Sequence, residues 1–292
     1  MLNKFHRTFL LVTVVATLST GCRYSKEYQK VTEAGNKYTT AVDELLVKAG
    51  DLQIDSSSEK ILLDDRLSNQ SLKDYQELNT KDKEIVQTIA DIREHNHLLR
   101  RYFSKLKELA NSDTPEKVKV EIEEVTRNMQ KISSDLQKST ILSRPSVVGN
   151  IGKLIVNSKI EGVLKEELEK RHPVILQELT IQQEMLKSLG EFMQHRVAIT
   201  TEAREQRLLI RPLIAAQPMD DGIVSQWIQE RKQIFLTDQR VTELKKASQA
   251  LEEFKDIYTA SVEGKINSER LNASLQDIDS FLALLEHSQK SN

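Results

Sequence analysis

Four features of this sequence carry residue types that could do chemistry. The first is Cys22, the single cysteine, which closes the run Leu18-Ser19-Thr20-Gly21-Cys22. Its thiolate is the strongest nucleophile the chain offers. The second is a set of arginines, Arg196, Arg204, Arg207 and Arg211, the last three lying eight, eleven and fifteen residues beyond the first. On a helix this spacing brings them near one face, which could bind phosphate head groups or an acidic partner. With Glu202 and Glu205 close by, the same face also reads as a solvated mixed-charge surface. The third is the apolar window from Val147 to Val156, in which Val147, Val148, Ile151, Leu154 and Ile155 surround Gly149 and Gly152. It is too short to span a bilayer. It reads either as a close helix crossing or as a patch that dips into lipid or grips a partner. The fourth is the pair His95 and His97. Two residues apart on a helix, their side chains point about 200 degrees apart and cannot converge on one metal ion.

Other chemistries lack their signals. No His-Glu-x-x-His, paired-cysteine, phosphate-loop or Gly-x-Ser-x-Gly arrangement occurs, so zinc hydrolysis, nucleotide hydrolysis and the serine-hydrolase elbow have no motif to rest on. Gly149 to Gly152 matches the Gly-x-x-Gly of a nucleotide-clamping loop, but no KH-like strand pattern surrounds it. Carboxylates are abundant and scattered. A two-carboxylate glycosidase assembles its pair in space, and nothing in the sequence marks any two. No cofactor is implied.

The elements that position these residues begin with the N-terminus. Lys4 and Arg7 precede an apolar stretch from Phe9 to Leu18, followed by small residues, the layout of a secretory signal. That stretch falls within the roughly 7 to 15 residues of a signal core and short of the roughly 20 needed for a spanning helix. Residues 1–22 resemble bacterial lipoprotein signal peptides: Ser19, Thr20, Gly21 and Cys22 fit the lipobox, with Leu18 one place further back than the usual leucine. The resemblance implies cleavage before Cys22, a diacylglycerol on its sulfur and a further acyl chain on the freed amino group. Several chains make such attachment lasting, since one alone holds only marginally. The alternative is an ordinary cleaved signal followed by an unpaired thiol. The residue after the cysteine is Arg23, not the aspartate that commonly retains lipoproteins in the inner membrane, so the resemblance favours the outer membrane.

Loss of residues 1–21 removes Lys4 and Arg7 and no acid, leaving 40 basic against 44 acidic residues and a net charge of −4. Nucleic-acid binding is not indicated, because a strongly basic domain with interleaved aromatics is missing. Charged residues at 29%, with only five prolines and nine glycines, suit long solvated helices rather than sheets with many turns. With Cys22 acylated no disulfide can form, so packing alone must hold the fold.

The expected fold is all-α, an elongated helical bundle containing an antiparallel coiled-coil hairpin. Residues 22–71 read as a membrane-proximal helix and connection, 72–142 as the hairpin and 143–292 as a bundle of long helices. The first helix runs from about Ser25 to Lys48, with Tyr28, Val31, Tyr38, Val42, Leu45 and Leu46 as its apolar face. Gly50 to Ser58 reads as a connection, with Ser56 and Glu59 as a capping box opening the next helix. A heptad seam follows through Tyr75, Leu78, Ile85, Ile89, Ile92, Leu99, Phe103 and Leu106, with Asp82 and Asn96 in its gaps. Asn96 there would fix register. Thr114 and Pro115 offer an N-cap and first-turn proline, after which Val118, Ile122, Val125, Met129, Ile132 and Leu136 restart the four-three rhythm. Further helices run from Ser158 to about Arg171, where His172-Pro173 interrupts, and from Ile175 to Ile210. Pro212, Pro218 and Gly222 mark a boundary, the helix carrying Trp227 follows, and Gly264 ends it.

The expected function is a lipid-anchored, non-enzymatic protein of the bacterial envelope, presenting a helical surface to an envelope protein. Membrane remodelling or pore formation through the Val147 patch and an envelope hydrolase are the alternatives. Oligomeric state is open.

Overall fold

The computed structural model describes residues 3–64, 71–139, 162–215 and 218–265, with 269, 272, 273 and 276; side chains are described from Gln29 onward, except at some helical positions. Every regular element among them is a helix: α1 Asn3–Asp64, α2 Leu72–Leu109, α3 Pro115–Leu136, α4 Gly162–Glu205, a π-helical turn Gln206–Ile210, α5 Arg211–Leu213 and α6 Asp221–Val262. The all-α expectation is met.

Cross-helix contacts fix the topology. Asp43 of α1 meets Arg93 of α2 while Gln53 meets Asp82, so rising numbers face falling ones and the two helices are antiparallel. By the same test α2 and α3 are antiparallel, through Lys105–Glu121 and Thr88–Ser139. In contrast α3 and α4 are parallel, because Glu123 meets Arg171 and Ser133 meets Glu178. Helix α6 runs antiparallel to α4, with Trp227 on Leu209 and Lys255 on Gln183.

One apolar core joins α1, α2, α3, α4 and α6. At its centre Phe103 packs edge-on against Tyr102, Phe254 and Tyr258, with ring centroids 5.6, 5.4 and 5.9 Å away. Tyr38 stacks on Phe254 and donates its hydroxyl to the Ala247 carbonyl at 2.9 Å. The close approach of α1 depends on Gly35, where a Cβ would lie 2.7 Å from the Phe103 ring, inside van der Waals contact.

Several sequence expectations are corrected. Gly50 to Ser58 is not a connection but lies within α1. Leu52, Gln53, Ser56 and Ser57 are buried there, and Ser57 and Ser58 donate to the Ile54 carbonyl inside the helix rather than capping a new one. The capping box belongs instead to Ser71 and Asp74, at the start of α2. Thr114 precedes Pro115 at the expected boundary, but its hydroxyl makes no cap; Ser112 accepts from the Thr114 amide at 3.0 Å. Pro173 does not interrupt α4. An interior proline costs about 3 kcal/mol, and burial of Leu168, His172, Ile175 and Leu179 around it offsets that.

The heptad of α2 is buried from Asp82 to Leu106 but not at its start, where Tyr75 is half exposed. Helix α3 ends opposite about Thr88, so among the described residues α3 does not reach Tyr75. Asn96 is buried as a seam residue, with its amide donating to the Thr39 carbonyl of α1 at 2.6 Å. The seam of α2 is thus shared between α1 and α3. A second buried stripe, His95, Leu98, Tyr102 and Leu109, lies beside the first and faces α4 and α6. Two adjacent seams make α2 the inner helix of a bundle. The boundary at Pro212 and Pro218 holds, α6 opening on Asp220, whose carboxylate accepts from the Ile223 amide. Gly264, at φ +69°, closes α6 as expected. The amides of Gly264 and Lys265 donate to Ser261 and Ala260 carbonyls, the paired bonds of a Schellman ending.

Candidate functional site

Three places in the described structure concentrate polar chemistry or unpartnered apolar surface: a buried polar cluster, an arginine–carboxylate knot and one end of the bundle.

The polar cluster sits between α2, α3 and α4. His95 places Nδ1 2.7 Å from Gln182 Oε1 and Nε2 2.9 Å from Glu178 Oε2. The same carboxylate oxygen accepts a short hydrogen bond from the Ser133 hydroxyl. His95, Ser133, Glu178 and Gln182 are all buried. A serine, a histidine and a carboxylate are the parts of a nucleophilic triad, but the wiring differs. In such a triad the imidazole takes the proton of the hydroxyl, whereas here the hydroxyl is spent on the carboxylate and both ring nitrogens are engaged. The cluster works as a three-helix crosslink. Because these groups bond one another away from water, the Gln182 side-chain nitrogen being left without a partner among the described residues, losing one member strands the rest. Sequence reading weighs His95 only beside His97, as a pair that cannot converge on one metal ion; the signal it misses is the second seam through Leu98 and Tyr102. His97 does point elsewhere, to Asp43 on α1 at 2.8 Å. Burial alone would raise the Asp43 carboxyl, but the hydrogen bonds and charges of Arg93 and His97 outweigh it and hold it below the usual range. Among the described residues no three histidine, cysteine or acidic side chains gather as a metal ion would need.

Nearer the start of α4, His172 is buried and stacks on Tyr258, centroids 5.1 Å apart. Neither ring nitrogen has a partner among the described residues. Burial pushes its pKa down to about 4, against a weaker upward pull from Glu263, so it is neutral near pH 7.

The arginine set resolves differently from a phosphate-binding stripe. Arg207 binds Glu59 of α1 at 2.5 Å and Arg204 binds Glu230 of α6 at 2.6 Å, with the Glu59 carboxylate 3.9 Å from Arg204. These two guanidinium groups are counter-ions that tie the end of α4 to α6 and the π-helical turn to α1. Arg211 is exposed. The Arg196 side chain lies outside the described residues. Beside the knot a cleft of about 20 Å³ opens at Leu52, Ser56, Thr201 and Ile234, room for a single water.

Val147, Val148, Ile151, Leu154 and Ile155 lie outside the described residues, so the patch reading is not addressed by the structure. Cys22 lies within α1, whose backbone runs helically through it; its side chain is likewise outside. No helix among the described residues is long and apolar enough to cross a membrane.

The third place is the end of the bundle formed by the second half of α1, the start of α2, α5 and the start of α6. The antiparallel registers bring these segments to one level. Large apolar side chains turned to solvent collect there: Val47, Ile54 and Leu62 on α1, Leu72, Tyr75 and Val86 on α2, Leu213 and Ile214 after α4, and Ile223, Val224, Ile228 and Phe235 on α6. Among the described residues, Val120 is the only such side chain in the other half. Trp227 anchors this end, its indole donating to the Leu209 carbonyl in the π-helical turn at 3.0 Å. Scattered single apolar residues are ordinary on a protein surface, but a gathered set marks an interaction site.

Comparison with known proteins gives no matching family model, no matching curated protein and no matching solved structure.

Proposed function

We propose that this chain is a lipid-anchored, non-enzymatic protein of the bacterial cell envelope, held through acylated Cys22 on the outer membrane and facing the periplasm. Its bundle presents a helical surface, at the end remote from the anchor, to another envelope protein. The observation that carries the reading is the one-sided gathering of exposed apolar side chains beyond Val47. Helix α1 adds support. It runs without a break through Cys22 into the core, and Val31, the first buried apolar residue described, follows nine positions later, about 14 Å along a helix. Such an anchor holds the body close to the bilayer and directs the apolar end away from it.

Two measurements test this. Mass spectrometry of the mature N-terminus is expected to find a thioether-linked diacylglycerol on Cys22; an unacylated, freely secreted chain overturns the localisation. A photo-crosslinker at Ile54 or Tyr75 in intact envelopes is expected to capture a protein, while one at Val120 does not. Equal capture from both ends would refute the polarity.

A further inference from the structure

We infer that an exposed flank of α6 is a self-complementary seam through which two copies of this chain pair antiparallel. The core-facing side of α6 carries Ile234, Leu251, Phe254 and Tyr258. On an exposed flank of its first four turns, roughly 60 to 140 degrees around the helix from Ile234, Asp221, Val224, Ile228, Arg231 and Phe235 recur at steps of three and four, the spacing of a coiled-coil seam. All five are exposed, Ile228 at 55% and Phe235 at 67%. Arg231 lies among them without a carboxylate partner among the described residues; its guanidinium rests 6.0 Å from the Trp227 ring centre and 5.1 Å from that of Phe235. A cation on an apolar seam is costly to cover unless the covering surface supplies an anion.

The seam itself supplies one. In an antiparallel pair, a-type positions of one helix face d-type positions of the other, and residues facing each other have numbers of constant sum. The register that sets Val224 against Ile228 of the second copy also sets Asp221 against Arg231 of the second copy, twice by symmetry. Two apolar layers are then bracketed by two opposite-charge pairs. A parallel pair would instead oppose Arg231 to Arg231 and Asp221 to Asp221, like charges that repel. A foreign acidic helix would satisfy Arg231 but leave Asp221 facing its own sign. An isologous pair satisfies both, and such two-fold pairing is the commonest way soluble chains assemble. The π-helical turn and α5 bring Leu213 to the level of Ile223, by the register that pairs Leu209 with Trp227, which widens the apolar surface beside the seam. In the resulting dimer the bundles extend in opposite directions, with the two Val31 positions on the order of 85 Å apart at 1.5 Å per helical residue. The pairing does not require Cys22 to be acylated; where both copies are anchored on one membrane surface, the pair lies along that surface, whereas a single copy points its apolar end away from it.

The test measures protein mass by light scattering on the full chain in mild detergent, with circular dichroism confirming helicity of each variant. The wild type is expected to be dimeric at micromolar concentration. Asp221→Arg and Arg231→Asp, each creating like-charge pairs, are expected to raise the dimer Kd at least about 100-fold. The double variant Asp221→Arg/Arg231→Asp restores the opposite pairing and is expected to return within about 10-fold of the wild type. A wild type that stays monomeric overturns the proposal, as does a double variant no better than the singles. A monomer that loses binding to phosphatidylglycerol vesicles on Ile228→Glu would assign the seam to lipid. A monomer that loses a photo-crosslinked foreign polypeptide on the same change would assign it to another protein. Either result refutes self-pairing.

Discussion

The two halves of this bundle are built from the same helices yet treat apolar side chains in opposite ways. From Val31 to Leu46 on α1, and at the matching levels of α2, α4 and α6, the large residues turn inward around Phe103, and Gly35 lets the backbones close. From Val47 outward the same helices keep a core, with Leu52 and Ile234 buried, but also show apolar side chains to solvent. Five helices contribute side chains to the core of the first half. In the second half α3 has ended near the level of Thr88, and the described residues supply one helix fewer. Surface the sequence makes apolar then has no neighbour within the described chain, the condition under which a partner is favoured. The closed core therefore belongs to one half, and the surface proposed for interaction to the other.

That contrast can be broken at four points, taken from the largest effect down. Phe103→Ala removes the ring on which α1, α2 and α6 meet, and a loss of about 4 kcal/mol is expected in denaturant unfolding; a loss under about 1 kcal/mol would mean the closed half is not the stabilising one. Glu178→Ala strands the Ser133 hydroxyl and the His95 ring, and a cost of about 3 kcal/mol is expected by the same measurement. A neutral result would show that the polar crosslink contributes nothing net.

His172 gives a pH-dependent check. Its folded pKa of about 4 lies below the ordinary 6.5, so between those values the unfolded chain binds the extra proton and stability falls as pH falls. The difference between wild type and His172→Phe is expected to change by about 2 kcal/mol from pH 7 to pH 4, the wild type losing more. A difference that stays flat across this window would place His172 in contact with water. The smallest effect is expected at the open end, where Ile54→Ser changes unfolding free energy by no more than about 0.5 kcal/mol. A loss of about 2 kcal/mol or more there would show that this end is covered by the chain itself.

Much of the fold was legible in the sequence because its signals are local. The Pro115 start of α3, the Gly264 end of α6 and the buried run from Ile85 to Leu106 each follow from a backbone restriction or a repeat visible within a few residues. The misreadings share a cause. Gly50 to Ser58 and His172-Pro173 carry true breaker signals, overridden because tertiary burial outweighs propensities of about 1 and 3 kcal/mol. The polar cluster was invisible for another reason: Ser133 stands 45 positions from Glu178, which lies 83 from His95, and nothing in a linear pattern records that distance.

The sequence alone determined that this chain is helical, where most of its helices end, and which stripe of each is apolar, since those properties arise from bonds and spacings within a turn or two. Only the tertiary structure decided that α2 is an inner helix, that Arg204 and Arg207 are counter-ions and not a ligand stripe, and that the second seam of α6 remains uncovered. Those outcomes depend on which helices end beside which, a matter of relative length and register that no single segment encodes.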